Sequence, residues 1–271
     1  MDSDLTGTAM RFFLINLDRD NDRFIYMQEA LKPYGITPER VPACLGLAMD
    51  ECLKPFFLDD AGEIASAMSK GEIGCYASHL TILKRIVDED IKEPVLVMED
   101  DLRFEANFRP LMAAIDTLPE DWEIVRLSNP AKAHFKTVSN LPGAAGEIVL
   151  YWRVPNNTGA YVINQSGARK FLGYQTRRMR PVDEDLRRPW EHGLTTYGVL
   201  PAPITSNIFD STIDAIGGDR SLPARKRFAD AGNHYGQEWR YRVRTFGLFG
   251  CLKAMLATLL FKARYKKRSR H

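Results

Sequence analysis

The sequence predicts an α/β fold with a mostly parallel central sheet. Residues 11–17, 93–100 and 122–128 are short runs rich in Phe, Leu, Ile and Val, which is typical of buried strands. Between the first two runs, residues 70–90 place apolar residues at helical spacing. Strands that alternate with helices favour a sheet covered by helices, with its strands largely parallel.

Two helices are expected between the first and the second strand-like runs. Asp20 or Asn21 is a suitable cap for the first helix, and Pro33 and Gly35 mark its end. The apolar spacing within residues 70–90 predicts an amphipathic helix of about five turns.

Two further strands are predicted in residues 147–154 and 159–165. A helix should follow, with Ser166 as its N-cap. Residues 217–237 are polar and predict a loop, and the chain has no internal repeat.

The charge of the chain is unevenly distributed. The 271 residues carry a formal net charge of only +2. Residues 237–271 contain ten Lys or Arg and one acidic residue, which leaves residues 1–236 with a net charge of about −7. We therefore expect a folded domain at 1–236 and a basic tail at 237–271 that binds a membrane surface or a nucleic acid.

The cysteines and the N-terminus favour a cytoplasmic protein. The four cysteines form no CxxC pair and no repeated spacing, which argues against a disulfide framework or a zinc site. The first ten residues are acidic and lack the basic and apolar regions of a signal peptide.

Three consecutive carboxylates, Glu99, Asp100 and Asp101, end the second predicted strand. Ligands of open α/β sheets bind outside the carboxyl ends of the strands. Adjacent like charges need neutralisation, and a hard divalent cation supplies it while bridging to substrate phosphates. The cluster therefore predicts a Mg²⁺ or Mn²⁺ site for a diphosphate, and the alternative is a solvated acidic turn.

Six sequence blocks, in order, resemble one family. They cover much of the chain between residues 11 and 190, and they are FFLINLDRDNDRF, ERVPACLG, SKGEIGCYASHLTILKRIV, VLVMEDDLRF, NNTGAYVINQSGARKFL and RPVDEDL. The chain resembles the bacterial lipooligosaccharide glycosyltransferases of glycosyltransferase family 25, which also includes the collagen galactosyltransferases.

The resemblance implies a GT-A-like fold, in which a Rossmann-type nucleotide-sugar-binding sheet is joined to an acceptor-binding half. It also implies a UDP-sugar donor, most often UDP-galactose, and inversion at the anomeric carbon. One departure is visible, because the family usually has an acidic residue where Leu45 precedes Gly46. If that carboxylate contacts the donor, its loss changes the donor or the activity.

The resemblance and the chemistry together give the metal ligands. A metal on the diphosphate neutralises the leaving group. Asp101 is expected to be the main ligand, with Glu99 supporting it or binding the ribose, and Asp100 is left unassigned.

The base that deprotonates the acceptor hydroxyl is expected among the carboxylates that follow Pro181. Alignment with the Pro-Val-Asp block of the family favours Asp183, with Asp185 as the second choice. The segment is predicted to be a loop, and the alternative is that it is only a solvated acidic loop.

Polar residues after the first strand are candidates for binding the donor. Asn16, Asp18, Arg19 and Arg23 are placed to reach the uridine and diphosphate, and Arg suits bidentate phosphate contacts. The alternative is a capped and solvated helix start.

Two residues of the long predicted helix are further candidates. Glu72 and His79 are seven residues apart, so they share a helix face that would line the donor pocket, with Ser78 beside it. The alternative for His79 is a buried histidine that is hydrogen-bonded to a neighbour.

Asn157, Thr158 and Gly159 open a predicted strand. A glycine there allows the backbone to approach a ligand closely, so these residues are candidates for contacts with the sugar or the acceptor. The alternative is a simple turn.

Residues 245–261 are nearly all apolar, with Lys253 in the middle and basic residues on both sides. Seventeen residues interrupted by a charge are marginal for spanning a bilayer, so we expect a helix lying on an anionic membrane surface. The alternatives are a helix packed on the body or in a dimer interface. Nucleic acid is not expected to be a partner, because no binding module accompanies the tail.

The prediction is a metal-dependent, inverting glycosyltransferase at the inner face of the cytoplasmic membrane. It would move a hexose, galactose before others, from a UDP-sugar to a lipooligosaccharide or related glycan. The alternatives are a UDP-glucose or UDP-N-acetylhexosamine donor, a non-catalytic protein that binds a nucleotide sugar or a membrane, and a helical scaffold.

Overall fold

The computed structural model describes residues 9–128, 134–206 and 234–268, and it describes the side chains of the last helix as far as residue 258. Most of the predicted loop at 217–237 lies outside these residues.

The described residues form ten strands and seven α-helices, with short 3₁₀ segments between them. The strands are β1 (Arg11–Asn16), β2 (Glu39–Pro42), β3 (Val95–Met98), β4 (Arg103–Phe104), β5 (Ile124–Arg126), β6 (Phe135–Asn140), β7 (Glu147–Tyr151), β8 (Ala160–Ile163), β9 (Thr196–Leu200) and β10 (Ile204–Thr205). The helices are α1 (Asn21–Leu31), α2 (Lys70–Asp88), α3 (Phe108–Ala113), α4 (Gln165–Gly173), α5 (Val182–Leu186), α6 (Pro189–His192) and α7 (Tyr235–Arg268).

Eight strands form one sheet in the order β2-β1-β3-β8-β5-β9-β7-β6. The α/β class is confirmed, but the sheet is mixed. The parallel pairs are β1 with β2, β1 with β3, and β5 with β9. Strand β8 runs antiparallel to both of its neighbours, β3 and β5, and β7 runs antiparallel to β9 and β6. Six of the eight strands therefore share one direction, while four of the seven pairings are antiparallel.

Helices cover both faces of the sheet, so the central strands are largely apolar. In β3, Val95 and Val97 pack with α2 and α4 on one face. Leu96 and Met98 pack with α1 and α3 on the other. All four side chains are fully buried, which explains why this strand is a continuous aliphatic run rather than an alternating one.

The long helix α2 is the most clearly predicted element, and its start is fixed by a capping box. Ser69 accepts a hydrogen bond from the Glu72 backbone, and the Glu72 carboxylate accepts one from the Ser69 backbone. A Cβ on Gly74 would lie 2.4 Å from the carbonyl oxygen of Cys44. Ser78 accepts from the Cys44 amide at 2.8 Å, so this contact locks the helix onto the loop after β2.

Several local predictions are corrected by the structure. The N-cap of α4 is Asn164, whose side chain accepts from the Gly167 amide, so the prediction of Ser166 as cap is wrong. Ser166 instead donates to Glu123. The expected loop after Pro181 is the short helix α5, because its residues pack into the core.

The last helix packs on the body through part of its length. Phe246, Cys251 and Ala254 contact the buried Trp152, and Gly247 interrupts the helix with a φ of 69°. This packing agrees with one of the alternatives considered for the tail. Other apolar side chains of α7 remain exposed, namely Leu248, Phe249, Leu252, Met255 and Leu256. Within the described ranges, α7 and the other helices fall short of the length and apolarity needed to cross a bilayer.

Gly74→Ala should lower the free energy of unfolding by about 2 kcal/mol, because the added methyl meets rigid backbone. Urea denaturation measures this effect. Gly173→Ala, in open space near the end of α4, is the matched control and should leave stability unchanged or slightly raised. Equal effects at the two positions would contradict the proposed close approach.

Candidate functional site

One edge of the sheet collects most of the predicted site residues. The carboxyl ends of β1, β3 and β5 lie at this edge, and the reversed direction of β8 brings its amino end there too. The Glu99 amide donates to the Gly159 carbonyl at 2.8 Å, so the segment after β3 and the segment before β8 are in contact. We call this the ligand edge.

Asp100 is held by residues of the first strand and helix. Asn16 donates to one carboxylate oxygen at 2.7 Å, and Arg23 donates to the other at 3.0 Å. Asn16 also donates to the Asp20 carbonyl and accepts from Arg40. Burial raises the pKa of Asp100, against the opposing effect of Asn16 and Arg23. Asn16 and Arg23, predicted as donor contacts, therefore link β1, α1 and the segment after β3.

Asp18 and Arg19 lie in the turn after β1 with exposed side chains. Their ion pairs are long, at 3.9 Å from Asp18 to Arg40 and 3.8 Å from Arg19 to Asp20. Such ion pairs at a surface contribute little to the stability of the fold, so both side chains can turn towards a ligand at little cost.

Glu99 is the best-supported anion of the ligand edge. Thr158 donates to its Oε1 at 2.5 Å, and His79 Nε2 lies 3.4 Å from the same oxygen. Burial acts to raise the pKa of Glu99, but His79, Thr158 and Arg126 outweigh it and lower the pKa. Glu99 is therefore ionised at neutral pH.

His79 is buried between this carboxylate and the sheet. Its Nδ1 lies 3.0 Å from the Tyr161 hydroxyl. Cys75, one helical turn earlier, brings its sulfur to within 4.8 Å of ligating atoms of His79 and Glu99, and the described ranges contain no other such group of three. Thiolate and imidazole suit zinc better than Mg²⁺ or Mn²⁺.

Glu72 and Ser78 occupy different surroundings from His79. The Glu72 carboxylate caps α2, and the Ser78 hydroxyl joins α2 to the Cys44 loop. Only His79 of the three predicted helix residues reaches a carboxylate of the ligand edge.

The segment before β8 is tied to two other strands. Asn157 Oδ1 accepts from the Gly159 amide and from Ser128 at the end of β5, both at 2.7 Å. Its Nδ2 donates to Ser206, just after β10. Thr158 contacts Glu99, so the predicted trio forms a rigid wall beside the carboxylate rather than a loose turn.

A hard cation would find few carboxylates here. The described ranges contain no group of three converging carboxylates, and Asp100 is already paired with Arg23. Mg²⁺ is commonly bound through one or two carboxylates together with substrate phosphates. Asp101, the predicted main ligand, is half-buried in the segment after β3, two residues beyond Glu99.

Asp183 has the electrostatics of a base. It lies half-buried in α5, and one carboxylate oxygen accepts from the Glu184 amide at 2.9 Å. Burial, with the nearby charges of Glu184 and Glu99, raises the pKa of Asp183 to about 6. A carboxylate with this pKa is mostly ionised at neutral pH and is a stronger proton acceptor than an ordinary Asp.

Asp185, the second predicted base, is buried in a different network. Arg180 donates to one oxygen at 3.0 Å, and Tyr76 donates to the other at 2.7 Å. Arg180 is also paired with Glu191. Both oxygens of Asp185 are therefore engaged in fixing α5, and this network holds Asp183 in place.

Arg126 was not singled out from the sequence. It ends β5 and is 1% exposed, and its guanidinium carbon lies 6.0 Å from the centre of the Tyr161 ring. The signal available was an arginine inside the aliphatic run WEIVRLS. A charge within a buried strand is unusual enough to mark a site residue.

A sequence model of "Glycosyltransferase family 25 (LPS biosynthesis protein)" matches residues 9–186. Human procollagen galactosyltransferase 2 is 33% identical over 190 residues, which are 64% of this chain and 29% of that protein. Human inactive glycosyltransferase 25 family member 3 is 35% identical over 191 residues, which are 64% of this chain and 30% of that protein.

The match thus spans about 30% of the length of these relatives. Procollagen galactosyltransferase 1-A of Xenopus laevis is 30% identical over 202 residues, 68% of this chain and 32% of that protein. The similar proteins therefore include both galactosyltransferases and members described as inactive.

Asp183→Asn should make the protein more stable at neutral pH. The raised pKa means that ionising Asp183 costs folding free energy as the pH rises from about 4 to about 6. Asn cannot ionise, so the variant should be more stable than wild type by up to about 3 kcal/mol at pH 7.5, because the shift is about two pKa units at about 1.4 kcal/mol each. The gain should shrink towards pH 4.

Urea denaturation between pH 4 and pH 8 measures this difference. Asp116→Asn, on an exposed residue, is the control and should show no such pH-dependent gain. A destabilised Asp183→Asn at pH 7.5 would contradict the assigned environment of the carboxylate.

Proposed function

We propose a function from one established premise: the chain belongs to glycosyltransferase family 25. The proposed activity is transfer of a hexose, galactose before others, from a UDP-sugar to a glycan acceptor. One feature carries the catalytic part of the proposal. Asp183 is half-buried in α5, a helix that the contacts of Asp185 with Arg180 and Tyr76 hold in place, and burial raises the pKa of Asp183 to about 6.

The proposed donor site is GT-A-like. Strand β1 pairs in parallel with β2 on one side and β3 on the other, and such a reversal of strand order creates a ligand crevice at the carboxyl ends. The nucleotide would lie in this crevice. Asp18 and Arg19 flank it after β1, and Arg19 offers a guanidinium to the diphosphate.

Asp101 and Glu99 are the proposed ligands for Mn²⁺ or Mg²⁺. When bound, the cation would neutralise charge on the departing diphosphate. Glu99 is held by Thr158 and His79, so its position does not depend on the cation. Its second proposed role is to accept a hydrogen bond from the ribose.

Asp183 is the proposed base. It takes the proton from the acceptor hydroxyl while that oxygen forms a bond to the anomeric carbon of the sugar. The bond from the anomeric carbon to the diphosphate oxygen breaks, and UDP leaves with the electron pair. Attack from the face opposite the leaving group inverts the configuration. The raised pKa of Asp183 favours this proton transfer near neutral pH.

A second candidate function is binding of a nucleotide sugar without transfer. The similarity to proteins described as inactive supports it. Leu45 also supports it, because it stands where the resemblance leads us to expect a carboxylate and its side chain is 45% exposed. The raised pKa of Asp183 favours the transferase, since a protein that only binds a nucleotide sugar has no need of a base.

The proposed acceptor is a lipooligosaccharide or related glycan at the inner face of the cytoplasmic membrane. Exposed apolar residues of α7, including Phe249 and Leu252, lie in a tail with ten Lys or Arg. Apolar insertion combined with attraction to anionic lipid would hold the enzyme near a lipid-linked glycan.

The transferase proposal predicts slow release of UDP from one donor in a panel of UDP-galactose, UDP-glucose and UDP-N-acetylhexosamines. The assay is run with Mn²⁺, with Mg²⁺ and with EDTA. Asp101→Ala should abolish the metal-dependent part. Asp183→Asn should lower turnover by about 100-fold or more while UDP binding is kept.

Glu105→Ala, at an exposed carboxylate outside the ligand edge, is the control and should behave as wild type. If no donor is hydrolysed or transferred but UDP raises the melting temperature, the binding function replaces the transferase. Full activity of Asp183→Asn would move the base elsewhere.

The tail proposal predicts binding to vesicles that contain anionic lipid and weaker binding to neutral vesicles. Replacing both Phe249 and Leu252 by Ser should lower the affinity at least tenfold, because each loses apolar area that inserts into the bilayer. Cosedimentation measures this binding. Ile25→Ser, on α1, is the control for an exposed apolar residue, and an equal loss there would contradict a specific role of α7.

A further inference from the structure

Arg126 lies in a row of residues that crosses the middle of the sheet. Its register partners are Tyr161 on β8 and Gly198 on β9. A Cβ on Gly198 would lie 2.0 Å from the Tyr151 hydroxyl, so the Tyr151 side chain lies directly over this glycine. Arg126 is thus flanked by two buried tyrosines. It lies on the same face of the sheet as Tyr161, whose hydroxyl contacts His79 of α2.

The guanidinium of Arg126 is buried without a hydrogen-bond partner. All three of its nitrogens are unpaired within the part of the chain that the structure describes. Burial lowers the pKa of Arg126, against the raising effect of nearby tyrosines and carboxylates. Burying a cation and five N–H donors without acceptors is costly, so a site like this is suited to an anion that enters from outside.

Neighbouring carboxylates do not fill this role. Asp183 and Glu99 both interact with Arg126 through their charges, but neither forms a hydrogen bond with it. Each is already held elsewhere, Glu99 by Thr158 and Asp183 by the Glu184 amide. The negative charges of the two carboxylates partly stabilise the buried guanidinium cation, but its N–H groups remain available to donate hydrogen bonds.

The place of Arg126 in the sheet indicates which part of a substrate it meets. The proposed nucleotide crevice lies between β1 and β3, and β5 is two strands beyond β3, a distance of about 10 Å. Arg126 therefore lies outside the crevice, on its β5 side, where a phosphate or sugar that extends from a bound nucleotide would meet it.

We propose that Arg126 is an oxyanion-binding residue of the ligand edge. Its guanidinium would form paired hydrogen bonds with a substrate oxyanion next to Asp183. This inference rests on the proposed function for the position of the substrate. Two sources offer the same chemistry: the diphosphate of the donor, and a carboxylate on a sugar of the donor or acceptor.

Binding measurements with the full chain test the proposal without any transfer. Arg126→Met removes the cation and keeps much of the volume, Arg126→Lys keeps a charge without the planar fork, and Arg103→Met is the control at an exposed arginine. Calorimetry with UDP, uridine and inorganic pyrophosphate tests the diphosphate. Galacturonate against galactose, with UDP bound, tests the carboxylate.

Arg126→Met should lower the affinity for one oxyanion about 10- to 100-fold, with Arg126→Lys intermediate and Arg103→Met unchanged. A loss of affinity for UDP and pyrophosphate, but not for uridine, identifies the donor diphosphate as the oxyanion that Arg126 binds. A loss of affinity for galacturonate alone identifies a sugar carboxylate. The melting temperature of Arg126→Met should not fall, because the variant removes an unpaired buried charge.

Unchanged affinities for all these probes in Arg126→Met would overturn the proposal. A lowered melting temperature without any loss of affinity would show that Arg126 has a purely structural role, and it would overturn the proposal as well. A failure of the transferase proposal gives a different result. In that case no sugar is transferred by wild type, while the loss of pyrophosphate binding in Arg126→Met is still observed.

Discussion

Strand β8 runs antiparallel between β3 and β5, and the arrangement of the ligand edge depends on this pairing. A parallel strand in the same place would send its amino end to the opposite side of the sheet. Because β8 is reversed, Thr158, just before the strand, lies beside the carboxylates that follow β3. The Glu99 amide donates a hydrogen bond to the Gly159 carbonyl. The same pairing places Tyr161 between His79 and Arg126, so residues from α2, β3, β5 and β8 meet at one edge.

Four carboxylates near this edge differ in their hydrogen-bond partners, and therefore in their charge and their role. Asp100 is bound by Asn16 and Arg23 and stabilises the junction of β1 and β3. Glu99 is kept ionised by Thr158 and His79, and Asp185 is enclosed by Arg180 and Tyr76. Within the described ranges, Asp183 has no cationic hydrogen-bond partner, and burial raises its pKa. The same chemical group thus serves as link, anion, structural pair and candidate base.

The sequence predicted the elements whose signals are local. Helix α2 has apolar residues at helical spacing, and β3 lies within an apolar run, so both were identified. Strands β2, β6 and β9 of the large sheet were missed, because β2 has only four residues, the side chains of β6 are all exposed, and β9 contains Gly198. The antiparallel position of β8 was also out of reach, since pairing partners are distant in sequence.

The candidate site was predictable as a set of residues but not as a set of contacts. Glu99, Thr158 and Asp183 stand out as polar residues at or near the ends of elements, and His79 stands out as a polar residue on the inner face of α2. Whether a carboxylate is free or paired depends on partners far along the chain, as when Asp185 meets Tyr76, 109 positions away. Arg126 was overlooked for the same reason, since only the folded chain shows that its guanidinium lacks acceptors.

If the ligand edge binds the nucleotide sugar, the bound nucleotide should protect the backbone amides there. Hydrogen–deuterium exchange with and without saturating UDP and Mn²⁺ measures this protection. We expect slower exchange in the segments after β3 and before β8, at residues 99–102 and 157–160, and no change in β6 and β7 at the far side of the sheet. Protection confined to β6 and β7, or none near Glu99 when UDP is bound, would contradict it.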